Sequence, residues 1–259
     1  MKQEIDALQI HVSQIDRPWY RQIANIIAIL ALLFSFGTTV VSFRHTSQQD
    51  LQQDRSELRE LSERIYTLER DKIEFSQRYS KDQSIIESYA FEVDSELLVT
   101  AWQAAEIIER IPEHVTTAEC TTVADQLADF DNNEHSMSIL DIGIDRARDA
   151  GSLIQALYRY AEVLFAIGDF SSGAQKYQEA LKVHERFPSR DRDYVRYTAA
   201  RTQLTWAQSE IQYGRCKQAM GHVQAAAKYA EDINDEGWRD EILSWANDQK
   251  KSAAECAAS

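Results

Sequence analysis

From Ile23 to Phe43 the chain reads IANIIAILALLFSFGTTVVSF, 21 residues without a charge. At about 1.5 Å per residue, such a helix crosses a hydrocarbon core of roughly 30 Å. Arg21 and Arg44 bracket the run, and Trp19 and Tyr20 stand where interfacial aromatics sit. The pattern predicts a transmembrane helix over 23–43, preceded by a short N-terminal segment of residues 1–22. A cleaved signal peptide fits poorly, because the apolar run is overlong and lacks an Ala-x-Ala site. A buried core helix would not need so many uncharged residues in succession. The flanking arginines nearly balance: Arg17 and Arg21 lie before the span, Arg44 and Arg55 after it. Lys2 and the α-amine tip the count toward an N-terminus inside and a domain outside, and leave the side of the domain open. The expectation is a single-pass protein of a bacterial inner (cytoplasmic) membrane.

Three prolines and eight glycines are few for 259 residues, and a sheet protein would need more turn formers, so the fold class expected is all-α. Acidic residues number 42 against 28 basic ones, a net charge of -14. That sign repels phosphate backbones, so no nucleic acid is expected as a partner. Flat adhesion of the soluble part to anionic lipid is disfavoured for the same reason. Cys120, Cys216 and Cys256 are odd in number and far apart, which reads as three free thiols with neither a metal cluster nor a disulfide framework.

Residues 46–111 read as a long stalk helix followed by a helix entering the domain. Leu51, Leu58 and Ile65 repeat every seven residues, as do Leu61, Leu68 and Phe75 three positions out of step. These are coiled-coil a and d positions, marred by Asp54 at a d position and Lys72 at an a position. Two readings stay open: a stalk that self-associates into a homo-oligomer or binds a partner helix, and a charged helix that folds back on its own domain. The apolar stripe widens through Val93, Leu97, Trp102 and Ile108, as for a helix entering a core, and Pro112 ends it.

The clearest local pattern runs from Leu157 to Val183, LYRYAEVLFAIGDFSSGAQKYQEALKV. Leu157, Tyr160, Ala161, Leu164 and Phe165, the Gly168-Asp169 turn, then Gly173, Tyr177 and Ala180 alternate large and small residues at fixed offsets. The segment resembles a tetratricopeptide repeat, in which two antiparallel helices approach closely through small residues while aromatics fill the space between repeats. The family more often has alanine at the position of Gly173. A second unit, Gln203 to Tyr229, matches at Trp206, Ala207, Gly214, Ala219, Val223 and Ala226, but carries Glu210 where an apolar residue is usual. Its first helix is expected to begin early, near Asp193. A third and weaker unit between Thr116 and Asp149 keeps the rhythm at Ala124, Leu127, Ser136, Leu140 and Gly143. The resemblance implies an α-α superhelical domain of about three degenerate repeats over 116–233. A capping helix follows over 235–250, its face formed by Trp238, Ile242 and Trp245, and a flexible tail covers 251–259.

Catalytic constellations are missing from the sequence: it has no Gly-rich phosphate loop, GxSxG elbow or HExxH motif. Neither catalytic residues, a metal nor a cofactor is expected, and the chain is not read as an enzyme. The resemblance instead implies a concave groove, lined by the first helix of each pair, that receives protein partners. Carried onto matching positions, this groove comprises Gln155, Tyr158, Glu162 and Phe165, then Arg201, Leu204 and Gln208. The family's carboxylate-clamp subset uses lysine and asparagine where Tyr158 and Glu162 stand, so binding of chaperone tails is not implied. The expected function is a membrane-anchored scaffold or adaptor. The alternatives are a membrane-tethered enzyme of unrecognised type and a coiled-coil sensor subunit.

Overall fold

The computed structural model describes the backbone of residues 19–258 and the side chains of residues 48–258. The chain divides into two compact units, residues 1–53 and 54–259. In the first unit, the described backbone from Trp19 onward is helical and belongs to α1 (Trp19–Arg78). Among the described residues no helix is long and apolar enough to cross a membrane. The candidate span 23–43 falls outside the residues whose side chains are described, as does the N-terminal segment 1–22.

The second unit is all-α among its described residues. It opens with a helical hairpin made by the rest of α1 and α2 (Gln83–Arg110). Asp82 turns the chain, accepting a hydrogen bond from the amide of Ile85 at 3.3 Å. Ion pairs Asp54–Arg110, Arg64–Glu96 and Lys72–Asp94 run along the hairpin in antiparallel order. Such pairs near solvent contribute little each. The burial of Leu58, Ile65 and Leu68 on one side, and of Val93, Leu97, Ala101 and Ile108 on the other, holds the two helices. Leu58, Ile65 and Leu68 of the heptad seam are thus covered within the chain, while Leu51, Leu61 and Phe75 are half-buried. Periodicity marks a stripe that must be covered, whereas the cover is chosen by the turn at Tyr79–Asp82.

Pro112 opens a 3-10 turn (Pro112–His114), as expected of a residue that cannot continue a helix. Three helix pairs follow. The first is α3 (Thr117–Asp129) with α4 (Asn133–Arg146), entered through a capping box between Thr116 and Glu119. The second is α5 (Ala150–Ala166) with α6 (Phe170–Leu181), extended by the single turn α7 (Val183–Arg186). The third is α8 (Arg192–Gln212) with α9 (Cys216–Glu231), and α10 (Glu236–Ala258) closes the end. The early start of α8 agrees with the sequence, as Asp191 caps it through the amides of Asp193 and Tyr194.

Small residues set the helix spacing. In the first pair, a Cβ added at Gly143 would come within 2.9 Å of the Cβ of Cys120. Ser136 is buried there and donates to the carbonyl of Ala124 at 2.8 Å. In the second pair, a Cβ at Gly173 would meet the ring of Phe165 at 2.5 Å. That ring leaves no room for a methyl group at Gly173. Glu210 is buried but not unpartnered: it accepts from the indole of Trp206 at 3.2 Å and pairs with Arg215. Its charge is compensated in place, as a buried carboxylate requires.

Two expectations at the C-terminus are corrected. The segment 251–259 does not leave the fold as a loose tail, because α10 runs to Ala258 and Ala253 is only 1 % exposed. Nor are the three cysteines all free. Cys216 and Cys256 form a disulfide with their Cα atoms 5.7 Å apart, and Cys120 alone is a buried free thiol. α10 runs back along α8 and α9, so its end meets the first residue of α9. A separation of 40 residues hides that meeting from the sequence.

Candidate functional site

The first helices of the three pairs, α3, α5 and α8, converge on a cleft of about 380 Å³. α3 contributes Asp125 and Asp129 one turn apart, and α5 contributes Arg159 and Glu162. Gln208 and Gln212 come from α8, and Glu69 of α1 stands at the rim. A second cavity, about 600 Å³, lies toward the closed end of the α1–α2 hairpin and shares Glu69, Gln126 and Asp129 with the cleft. Its walls are more apolar, with Phe75 stacked on Tyr89 at 3.9 Å between ring centres.

Arg159 organises the charges. One of its terminal nitrogens donates to Glu162 at 2.9 Å, and its Nε lies 3.2 Å from Asp125. Gln126 donates to Glu69 at 2.6 Å, tying α3 to α1 beside the cleft. Burial pushes the carboxyl of Asp125 up to about 7; Arg159 opposes that rise, and Glu162, Asp129 and Glu69 reinforce it. Asp129 is raised too, by burial against the opposing pull of Lys72 and Arg159. Burial alone would lower Arg159, yet the carboxylates of Asp125 and Glu162 raise it. Four carboxyl groups thus face one guanidinium, which gives the cleft an acidic character suited to cationic or hydrogen-bonding groups. Among the described residues no cluster of His, Cys, Asp and Glu is fit to hold a metal ion.

Of the seven residues expected to line a groove, Glu162 and Gln208 reach this cleft. Gln155 and Arg201 are exposed on α5 and α8, outside its lining. Tyr158 is buried, its hydroxyl 2.7 Å from that of Thr202, so it joins α5 to α8 rather than offering a surface. Phe165 and Leu204 are corrected outright, since both are 0 % exposed. Phe165 faces α6, edge-on to Tyr177 with ring centres 6.1 Å apart, and Leu204 sits among the alanines of α8, α9 and α10. Both positions lie on the packing side of their helices. The sequence reading missed Asp125, Asp129 and Arg159. The one-turn spacing of Asp125 and Asp129, beside the buried Val123, Ala124 and Leu127, was the available signal.

No protein-family model matches the chain, no curated protein matches it, and no solved structure matches it.

Proposed function

We propose that this chain is a membrane-anchored adaptor whose tetratricopeptide-like domain holds a protein segment across α3, α5 and α8. The observation that carries this reading is the cleft itself, which opens where the first helices of three successive pairs converge. Such a surface presents side chains at helical spacing to an extended or helical partner. Its surplus of carboxylates favours a segment bearing lysine or arginine. Binding is favoured over catalysis because two of the polar groups at hand already serve the packing: Asp125 faces Arg159, and the hydroxyl of Ser209 is 2.8 Å from that of Tyr177. The uncharged run 23–43 supplies the proposed anchor.

Site-specific photocrosslinking tests the reading in intact cells. A photoreactive residue at Gln208 should capture a discrete protein, and one at Gln178, exposed on α6, should not. The charge reversal Glu162→Arg should weaken that capture at least tenfold. Identical capture at both positions, or none at Gln208, would overturn the proposal.

A further inference from the structure

The two halves of α10 are held by different means. At its start, the amides of Asn234 and Asp235 donate to Asp193 at 3.0 and 3.2 Å. Trp238 stacks on Tyr197 with ring centres 5.0 Å apart, and the Tyr197 hydroxyl donates to Glu241 at 2.9 Å. Ile242 and Ala246 then bury against α8 and α9. Among the described residues after Ala246, Ala253 alone is buried, with Gln249 and Cys256 half-buried. One methyl group is little to set against the backbone entropy of about a dozen residues. An isolated helix end of that length also frays in water. The covalent bond from Cys256 to Cys216, at the start of α9, is the strongest tie of this half to the rest of the fold.

We propose that the Cys216–Cys256 disulfide is a redox-controlled fastener for the rear half of α10, closed in an oxidising compartment and opened by a dithiol reductant. In closing, the two S–H bonds break and one S–S bond forms. The two electrons and two protons pass to the disulfide of a thiol oxidase, which leaves as a dithiol. Opening reverses the step: a reductant dithiol is oxidised to a disulfide, and the electrons and protons return to the two cysteines. Compartments that maintain reduced thiols would keep the fastener open, so the seated form of α10 belongs to the extracytoplasmic side. Joined to the proposed anchor at 23–43, this selects the N-terminus-inside orientation of the two that the flanking arginines leave open. Cys120 takes no part. It is buried, and burial pushes its thiol up to about 12, so it stays unreactive in the folded chain.

The test uses the full chain in its native membrane. Thiols are trapped with acid, the protein is denatured, and a mass-tagged maleimide counts free cysteines. The expected count is one label without reduction, on Cys120, and three after it. Trypsin added to the folded protein then reports on α10, because Lys250 and Lys251 are exposed there. Reduction should accelerate cleavage at these lysines at least tenfold while leaving cleavage at Arg190, in the α7–α8 loop, unchanged. The double variant Cys216→Ser, Cys256→Ser should reproduce the reduced pattern without reductant. Three labels before reduction would overturn the compartment, and an unchanged rate at Lys250 would overturn the fastener. Parallel acceleration at Arg190 would also overturn it, by showing that the bond holds the whole domain rather than one helix end.

Discussion

The core between α5, α6 and α8 is filled by Leu157, Phe165, Tyr177 and Trp206, whereas the core between α8, α9 and α10 is lined by Ala200, Ala207, Ala219, Ala226, Ala230, Ala246 and Ala253. Both are packed helix to helix, yet their materials differ. Aromatic side chains remove large apolar areas from water, and here they also stack, Tyr177 on Trp206 at 5.5 Å between ring centres. Alanines let backbones approach closely but remove little area each. The aromatic core therefore supports itself, and the alanine core is supplemented: by the Glu210–Arg215 pair, by His222 stacked on Trp206, and by the disulfide. Close approach and strong hydrophobic stabilisation are separate properties, and this domain obtains them in different places.

The largest test of that contrast is Phe165→Ala. Removing a fully buried aromatic ring should lower unfolding stability by about 3–5 kcal/mol. Urea unfolding of the full chain in detergent, followed by helical circular dichroism, would read it. A loss below about 1 kcal/mol would mean that the aromatic core is not the stronger of the two. Next comes reduction of the disulfide, which closes a loop across 40 residues of separation. The expected loss is below about 2 kcal/mol, because the bond fastens one helix end and not the whole domain. If reduction leaves the urea midpoint in place, the alanine core needs no supplement.

The smallest effect is in the pH dependence, where His222 beside the alanine core and Asp125 in the cleft act with opposite sign. His222 is held neutral, its pKa lowered from 6.5 to about 4 by burial. Between those values the unfolded chain binds the extra proton, so this group makes stability rise with pH. Asp125 has its pKa raised from 3.8 to about 7, so in that window the folded chain holds the extra proton. Its contribution to stability therefore falls as pH rises from about 4 to 7. Relative to the unaltered chain, Asp125→Asn should make the profile slope more upward between pH 4 and 6.5, and His222→Gln should make it slope more downward between pH 4 and 6.5. Urea midpoints at half-unit pH steps would show either slope. A shared sign in the two variants would break the contrast.

What the sequence made legible follows the same division. The aromatic and small positions of Leu157–Val183 are local, set by helical spacing, and Leu157, Ala161, Tyr177 and Ala180 are buried in one core; Tyr158 and Phe165 were also assigned to a surface, from which their burial removes them. Ala124, Ser136 and Gly143 were readable for the same reason. The heptads of α1 announced a stripe but not its cover, because Leu58 and Ile65 cannot indicate whether a neighbouring helix comes from this chain or another. The cleft was half legible: Glu162 and Gln208 came from repeat positions, while Asp125 and Arg159 lie on different helices and meet only after folding. The disulfide was illegible, since nothing local to Cys216 anticipates a helix returning from residue 236 to residue 258.

The antiparallel order of the α1–α2 hairpin has a mechanical consequence. Asp54 and Arg110 face each other at its open end, and α3 begins just beyond Pro112. Tension applied at Asp54 and resisted through α3 would load that end alone, so the hairpin opens rung by rung instead of shearing all at once. Asp54–Arg110 and Arg55–Glu119 carry the first load, Leu58 and Arg64–Glu96 the next, and Lys72–Asp94 the last. A hairpin loaded this way yields gradually, and because Gln126 holds Glu69, its opening also releases α1 from α3.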